Sequence, residues 1–202
     1  MDRSDFIEAL APIVVRVRRE GSPMFPSVRL AQNILETGGT IPSWNNLGGI
    51  KVGRGSPNGY WKGAYVVKGT WEVYSGNRKA TTAAFRAYDN VYDFYKDQDL
   101  LMQLSRYARV RNAATPQVQA QALYEGGYAT DPEYAVKIKK LIAMYDLTRF
   151  DREADAEMEK ATADEIIKIL QKAWAEAGTA EERARIHELA NALRQASGQP
   201  TT

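Results

Sequence analysis

The chain has 202 residues, 44% of them hydrophobic, with 27 basic and 25 acidic side chains, proportions that argue against disorder across most of its length. It contains no cysteine, which excludes disulfides, thiolate zinc sites and a cysteine nucleophile. It also has no apolar run of about eighteen residues, which excludes a helical membrane span and membrane insertion through one.

A single histidine, His187, is present. A Ser-His-Asp triad or a multi-histidine metal site would have to be built around it. It lies in a helix-like pattern of Ala, Arg and Glu, the setting of a surface residue. Acid-base chemistry therefore falls to carboxylates, tyrosines and lysines. From Asp151 onward there are eleven acidic and seven basic residues, so the first 150 residues carry a net charge of +6. A basic body with an acidic tail suits an anionic polymer, nucleic acid among them, but the basic residues form no dense run that would choose one.

In chain order, the apolar spacing of Phe6, Leu10, Ile13, Val14 and Val17 predicts a helix over Asp5–Arg19. Gly21-Ser22-Pro23 breaks it. A second helix starts near Pro26, with Ser27 as its N-cap, runs to Glu36 and is stopped by Gly38-Gly39. Thr40 to Gly63 is an irregular stretch rich in Gly, Asn, Ser and Pro. Loops of that length in a compact domain are often functional. Tyr65–Tyr74 and Arg78–Ala83 read as a β-hairpin about the turn Ser75-Gly76-Asn77.

Helical pattern resumes near Asn90, with Val91, Phe94, Tyr95, Leu101, Leu104 and Tyr107 as its buried face. Thr115-Pro116 opens a further helix that Gly126-Gly127 closes. Thr130 and Glu133 have capping-box spacing for a helix through about Tyr145. Asp151–Lys160 is charged and poor in large apolar residues, a linker or a solvated helix. Two helices follow, about Ala163–Ala177 and Thr179–Ser197, each preceded by Thr-x-x-Glu. Ile166, Ile167, Leu170 and Trp174 form one apolar face; Ile186, Leu189, Ala190 and Leu193 form the other. So small a helical pair rarely folds alone, so it is expected to dock, to dimerise or to bind a partner.

Glu36 stands out chemically. It ends a largely apolar helix, where the negative end of the helix dipole and partial burial would both favour a protonated carboxyl. Such a group can act as a general acid on a glycosidic oxygen. A solvated residue of a last helical turn is the alternative that position alone leaves open. The string around it, Ala31-Gln32-Asn33-Ile34-Leu35-Glu36-Thr37-Gly38, resembles the Ala-Gln-x-x-Leu-Glu-Ser-Gly signature of family 73 glycoside hydrolases. Three more segments are similar to that family and occur in its order. They are Asn45-Asn46-Leu47-Gly48-Gly49-Ile50-Lys51, then Thr70-Trp71-Glu72 with Phe85-Arg86-Ala87-Tyr88, then Gly127 to Tyr134. The resemblance covers roughly residues 5 to 147. It departs at Gly39-Thr40, where the family often has Trp-Gly, and at Gly48, where the family has Phe.

The resemblance implies a mainly α (α+β) fold: a lysozyme-like helical domain with a small β-hairpin lobe and a saccharide groove between them, plus a C-terminal helical hairpin. The domain boundaries are 1–149 for catalysis, 150–161 for a charged linker and 162–202 for the hairpin, which would serve wall targeting or dimerisation. The implied activity is that of an endo-β-N-acetylglucosaminidase on bacterial peptidoglycan, with no cofactor and no metal. Glu36 matches the family's general acid, Glu72 its mobile second carboxylate, and Tyr128 the tyrosine beside the acid. Asn46, Trp44, Tyr60, Trp61 and Tyr88 are candidate sugar contacts, each with a structural role as its alternative. Arg86 reads as structural, Asp131 as a helix-start residue and Glu125 as a backup carboxylate.

A muramidase or lytic transglycosylase on the same scaffold is the nearest alternative, and a non-catalytic wall-binding or assembly protein the alternative of another class. The expected partner is the peptidoglycan glycan strand rather than nucleic acid, with a homodimer through the C-terminal helices as a further expectation. The first residues lack the pattern of a secretory signal. The expected setting is a phage or prophage lysin made in the cytoplasm and released to the wall by a holin.

Overall fold

The computed structural model describes the backbone of residues 2–74 and 77–201; the side chains of residues 70–80, 157 and 158 are outside the described residues. The chain divides into two compact units, residues 1–151 and 152–202.

The first unit is built around a helix buried on nearly every side. Helix α1 (Arg3–Arg19) is capped by Asp2, whose carboxylate accepts from the backbone of Ser4 and Asp5. It buries Phe6, Leu10, Val14 and Val17. Helix α2 (Pro26–Thr37) follows. Its N-cap is Phe25, with Pro26 in the first turn, not Ser27 as the sequence suggested. The reason lies far along the chain: Asp151 Oδ1 accepts the Ser27 N–H at 2.8 Å, so a distant carboxylate does the capping. Gly38, at φ +69°, ends α2 and returns its N–H to Ile34 O. That left-handed geometry suits glycine.

Strands β1 (Tyr65–Tyr74) and β2 (Asn77–Arg86) form one antiparallel pair, in register from Tyr65 opposite Arg86 to Tyr74 opposite Asn77. The expected turn residues Ser75 and Gly76 lie outside the described residues. The second strand runs three residues past the expected Ala83. The Gly-rich loop supports it there: Lys51 bridges to Phe85, Val52 N–H donates to Ala84 O, and Arg86 N–H donates to Ile50 O.

Helix α3 (Val91–Met102) is capped by Asn90. A 3-10 turn and the short α4 (Ala108–Arg111) lead to α5 (Pro116–Glu125), capped by Thr115 as expected. Met102 is buried, whereas Leu104 is exposed. Helix α6 (Tyr134–Met144) has no side-chain cap. The predicted Thr130–Glu133 box is absent; Asp131 instead accepts the Glu133 N–H at 2.9 Å. Helix α2 packs against α1, α5 and α6, so its C-terminal end is held from several sides.

Helix α7 (Thr148–Glu176) is continuous, so the expected linker at 150–161 is helical, the second of the two readings of that stretch. Thr162, the Thr of the first of the two expected Thr-x-x-Glu starts, falls inside this helix rather than at its beginning. From Thr148 to Glu176 there is neither Gly nor Pro, so nothing breaks the helix before Gly178. Helix α8 (Ala180–Ala196) does begin with the expected capping box, Thr179 with Glu182. In the second unit Ala163, Ile167 and Ala190 are buried, but Ile166, Ile169, Trp174 and Leu189 remain exposed. Leu170 and Trp174 face Ile186 and His187 across a groove of about 210 Å³.

Candidate active site

Glu36 sits in the last turn of α2, next to the left-handed glycines Gly38 and Gly39. Its side chain is open to water on one side and crowded by protein atoms on the others. That loss of hydration raises its carboxyl from 4.5 to about 7, because an ion is worse solvated there than in bulk water. The open side is what a substrate oxygen needs to reach it.

The crowding comes partly from the loop 45–50. A Cβ added at Gly49 would lie 3.7 Å from Glu36 Oε2, so the loop backbone passes within about one side-chain atom's contact of the acid. Gly49 has φ +64°, a conformation favouring glycine. The loop is tied at nearly every residue. Asn46 Nδ2 donates to Ile50 O at 2.8 Å and to Arg86 O at 2.9 Å, while its Oδ1 accepts the Ile50 N–H at 3.0 Å. Asn33 Nδ2 donates to Leu47 O, and Tyr95 Oη donates to Asn33 Oδ1. Tyr128 Oη donates to Gly48 O at 2.9 Å.

Both Asn46 amide hydrogens are thus committed inside the protein, and the side chain is buried. It braces the loop. Tyr128 follows Gly127, whose φ is +72°. Its hydroxyl accepts from Gln98 Nε2 at 3.2 Å while donating to Gly48. Burial first, and then the charge of Glu36, raise the Tyr128 hydroxyl above its ordinary value, so it stays a neutral donor.

A second cluster anchors the hairpin to α3. Asp97, 1% exposed, accepts from Arg86 NH1, Tyr88 Oη and Asn58 Nδ2, each at 2.7 Å. The Arg86 guanidinium also lies 4.3 Å over the Trp61 ring, and Trp61 Nε1 donates to Ala64 O at 2.7 Å. A Cβ at Gly55 would fall 2.0 Å from Arg86 NH2, so a side chain there would push the guanidinium off its place.

Two candidate sugar contacts are corrected by this cluster. Trp61 is 2% exposed and Tyr88 5%, so neither offers a face to a saccharide. Burial, and then the bond to Asp97, push the Tyr88 hydroxyl upward. Trp44 and Tyr60 are half-buried, and Lys68 Nζ lies 4.6 Å from the Trp44 ring centroid. Glu72 stands opposite Lys79 in the hairpin register; its side chain is outside the described residues. Glu125 pairs with Arg109, and Asp131 with Lys137. Arg86 is structural, as read.

The sequence reading passed over Asp97, Gln98, Asn33 and Tyr134. A signal for the first two existed: they stand three and four residues after Phe94, on the stripe where an amphipathic helix should be apolar.

A carboxylic acid still half protonated at neutral pH, open to water at the end of a core helix, in a helical domain that carries a β-hairpin, fits a glycoside hydrolase domain of the lysozyme-like class. Comparison with known proteins narrows the class. Residues 15–147 match the family model described as glucosaminidase, mannosyl-glycoprotein endo-beta-N-acetylglucosaminidase. The chain belongs to this glucosaminidase family, family 73 of the glycoside hydrolases.

It is similar to the exo-glucosaminidase LytG of Bacillus subtilis (strain 168), 31% identical over 175 residues, covering 81% of this chain and 59% of LytG. It is also similar to the probable N-acetylmuramidase of Lactococcus lactis subsp. cremoris, 33% identical over 164 residues, covering 75% of this chain and 36% of that protein. The chain thus spans about three-fifths and about a third of these two relatives. Among solved structures it is similar to a peptidoglycan hydrolase mutant from Sphingomonas sp. A1. That match has a TM-score of 0.60 and 31% identity, and covers 72% of this chain and 96% of that one.

Proposed function

We propose that this protein hydrolyses the glycan strands of bacterial peptidoglycan as an endo-β-N-acetylglucosaminidase, with Glu36 as the general acid. The observation that carries the reading is the Glu36 carboxyl, raised to about 7 by crowding yet open to water. In the proposed step Glu36 gives its proton to the glycosidic oxygen on the C1 side of N-acetylglucosamine. The C1–O bond breaks, and the leaving sugar departs with a free hydroxyl. Water then adds to C1. Its proton passes to Glu72 in an inverting route, or to the Glu36 carboxylate after the substrate's acetamido oxygen has captured C1.

Digestion of purified wall, with mass spectrometry of the new sugar ends, tests this. Reducing N-acetylglucosamine ends are expected. Reducing N-acetylmuramic ends would favour the muramidase reading, which the likeness to the Lactococcus protein supports; anhydro ends would indicate a transglycosylase. Glu72→Gln should lower kcat about as much as loss of a general acid or base does, ~10²–10⁴-fold, if Glu72 is the base. A rate equal to wild type would remove Glu72 from the mechanism.

The proposal extends to self-association through α7 and α8, supported by the exposure of Ile169, Trp174 and Leu189; a monomeric mass by light scattering would refute it. It extends also to a phage or prophage lysin setting, supported by the appended acidic helical unit. Lysis only on co-expression with a holin is the expected result, and lysis without one would refute that setting.

A further inference from the structure

Gln98 is fully buried on α3, and its amide nitrogen makes two bonds. One hydrogen goes to Gln32 Oε1 at 3.0 Å and the other to Tyr128 Oη at 3.2 Å. Gln32 Nε2 passes the pattern on to Tyr134 Oη at 2.8 Å. An amide nitrogen only donates, so both tyrosine oxygens are filled as acceptors and their protons are free to point elsewhere. Tyr128 spends its proton on Gly48 O at 2.9 Å. The next residue, Gly49, is the one where an added Cβ would meet Glu36 Oε2 at 3.7 Å, so its backbone is the loop's approach to the acid.

We propose that Gln98 is a positioning residue for the general acid: through Tyr128 it holds the Gly48–Gly49 backbone against the Glu36 carboxyl. This rests on the proposed catalytic role of Glu36.

Two further observations support it. First, Gln98 Oε1 is buried and has no hydrogen-bond partner among the described residues. A buried acceptor left unpaired is a cost that leucine would avoid at similar volume. The glutamine keeps that cost and gains two directed donor bonds. Second, the contact at Gly48 leaves no slack. A Cβ there would fall 2.7 Å from Tyr128 Oη and 3.1 Å from the Phe94 ring. The hydroxyl therefore meets the loop at a fixed height, and Gln98 fixes the hydroxyl from behind. The titratable groups that feel Glu36 are Tyr128, between α5 and α6, and Tyr134, on α6. Burial keeps both neutral, so the position of neutral backbone and hydroxyl groups governs how well the Glu36 carboxylate is hydrated.

The test uses the full chain with Gln98→Leu, with Tyr128→Phe, and with both. The ionisation of Glu36 is followed by NMR of carboxyl-labelled protein, and kcat and KM are measured on soluble peptidoglycan glycan. Loosening the loop admits water to the carboxyl. Its midpoint should fall by roughly half a pH unit or more, and kcat should fall about tenfold with KM within about twofold. The double variant should lose no more than either single one, since both cut one chain of bonds.

A folded Gln98→Leu protein with unchanged midpoint and unchanged kcat would overturn the proposal, as would losses that multiply in the double variant. If Gln98→Leu does not fold, Tyr128→Phe decides: it keeps the ring and loses the hydroxyl, and an unchanged midpoint overturns the proposal. A wild-type chain that cleaves no glycan would instead refute the reading of function, while the Glu36 midpoint in the variants still reports on positioning.

Discussion

Glu36→Gln separates the proton of the acid from the shape of the acid. The amide is nearly isosteric with the carboxyl it replaces, so the end of α2 and the loop against it keep their packing. What is lost is a transferable proton. The structure says how much of that proton is available. A carboxyl at 4.5 would hold its proton at pH 7 in about one molecule in 300. At about 7, where crowding places Glu36, about half the molecules hold it, a gain on the order of 150-fold in the competent form.

Two outcomes follow on purified wall, read by loss of turbidity or release of bound dye. The wild-type kcat/KM should fall on the alkaline side with a midpoint near pH 7. Glu36→Gln should lose ~10²–10⁴-fold in rate and lose that alkaline limb, with unchanged circular dichroism. An alkaline limb centred near 4.5 would refute the argument that crowding tunes the acid. Retention of more than about a tenth of the rate would refute Glu36 as the acid.

The same substitution should report on stability with a defined sign. Below 4.5 Glu36 is protonated in folded and unfolded chains alike, and the folded state bears no penalty. As pH rises toward 7 the unfolded chain ionises first and the native state loses stability, fully so above about 7. The Tm of Glu36→Gln relative to wild type should therefore climb across that window and level off above it; a difference independent of pH would contradict the linkage. Asp97→Ala strands the Arg86 guanidinium and should cost about 3–5 kcal/mol, as breaking a buried ion pair does. Urea denaturation measures this, and a loss below about 1 kcal/mol, the scale of an exposed pair, would demote the cluster.

What the sequence made legible was local in origin. The helix ends at Gly38 and Thr115, the hairpin and the capping box at Thr179 each follow from residues a few positions apart. Glu36 stood out through the string around it rather than through its helix position alone, which also suits a solvated residue, and its catalytic role remains a proposal. The misreadings share a cause in tertiary structure. Ser27 looked like a cap, but the cap is Asp151, 124 residues away. Trp61 looked like a loop aromatic that could stack on sugar, and Tyr88, which also read as structural, like a possible groove residue. Their burial depends on Asp97 reaching back from α3 to Arg86, Tyr88 and Asn58, which no periodicity displays. The Asn46 motif was read as site chemistry or loop bracing, and only the two carbonyls it reaches, Ile50 and Arg86, decide for the brace.

The pairing of Asp97 with Gln98 shows how one helix serves both lobes. Successive residues on a helix point about 100° apart, so two neighbours on α3 face different partners. Asp97 turns to the β-lobe and holds Arg86 and Tyr88 at the base of the hairpin. Gln98 turns to the helical core and holds Gln32 on α2 and Tyr128 beside the loop. Both are buried, and both occupy positions where an apolar residue would satisfy packing alone. The loop 45–50 lies between the two systems: Asn46 ties it to Arg86 O, and Tyr128 ties it to the core. A displacement of the hairpin on substrate binding would thus be transmitted through Arg86 and Asn46 to the same loop whose backbone crowds Glu36. Gln98 resists that displacement from the opposite side. The acid's environment is consequently set by the balance of two polar anchors on one turn of α3, and weakening either anchor should move the alkaline limb of activity before it unfolds the domain.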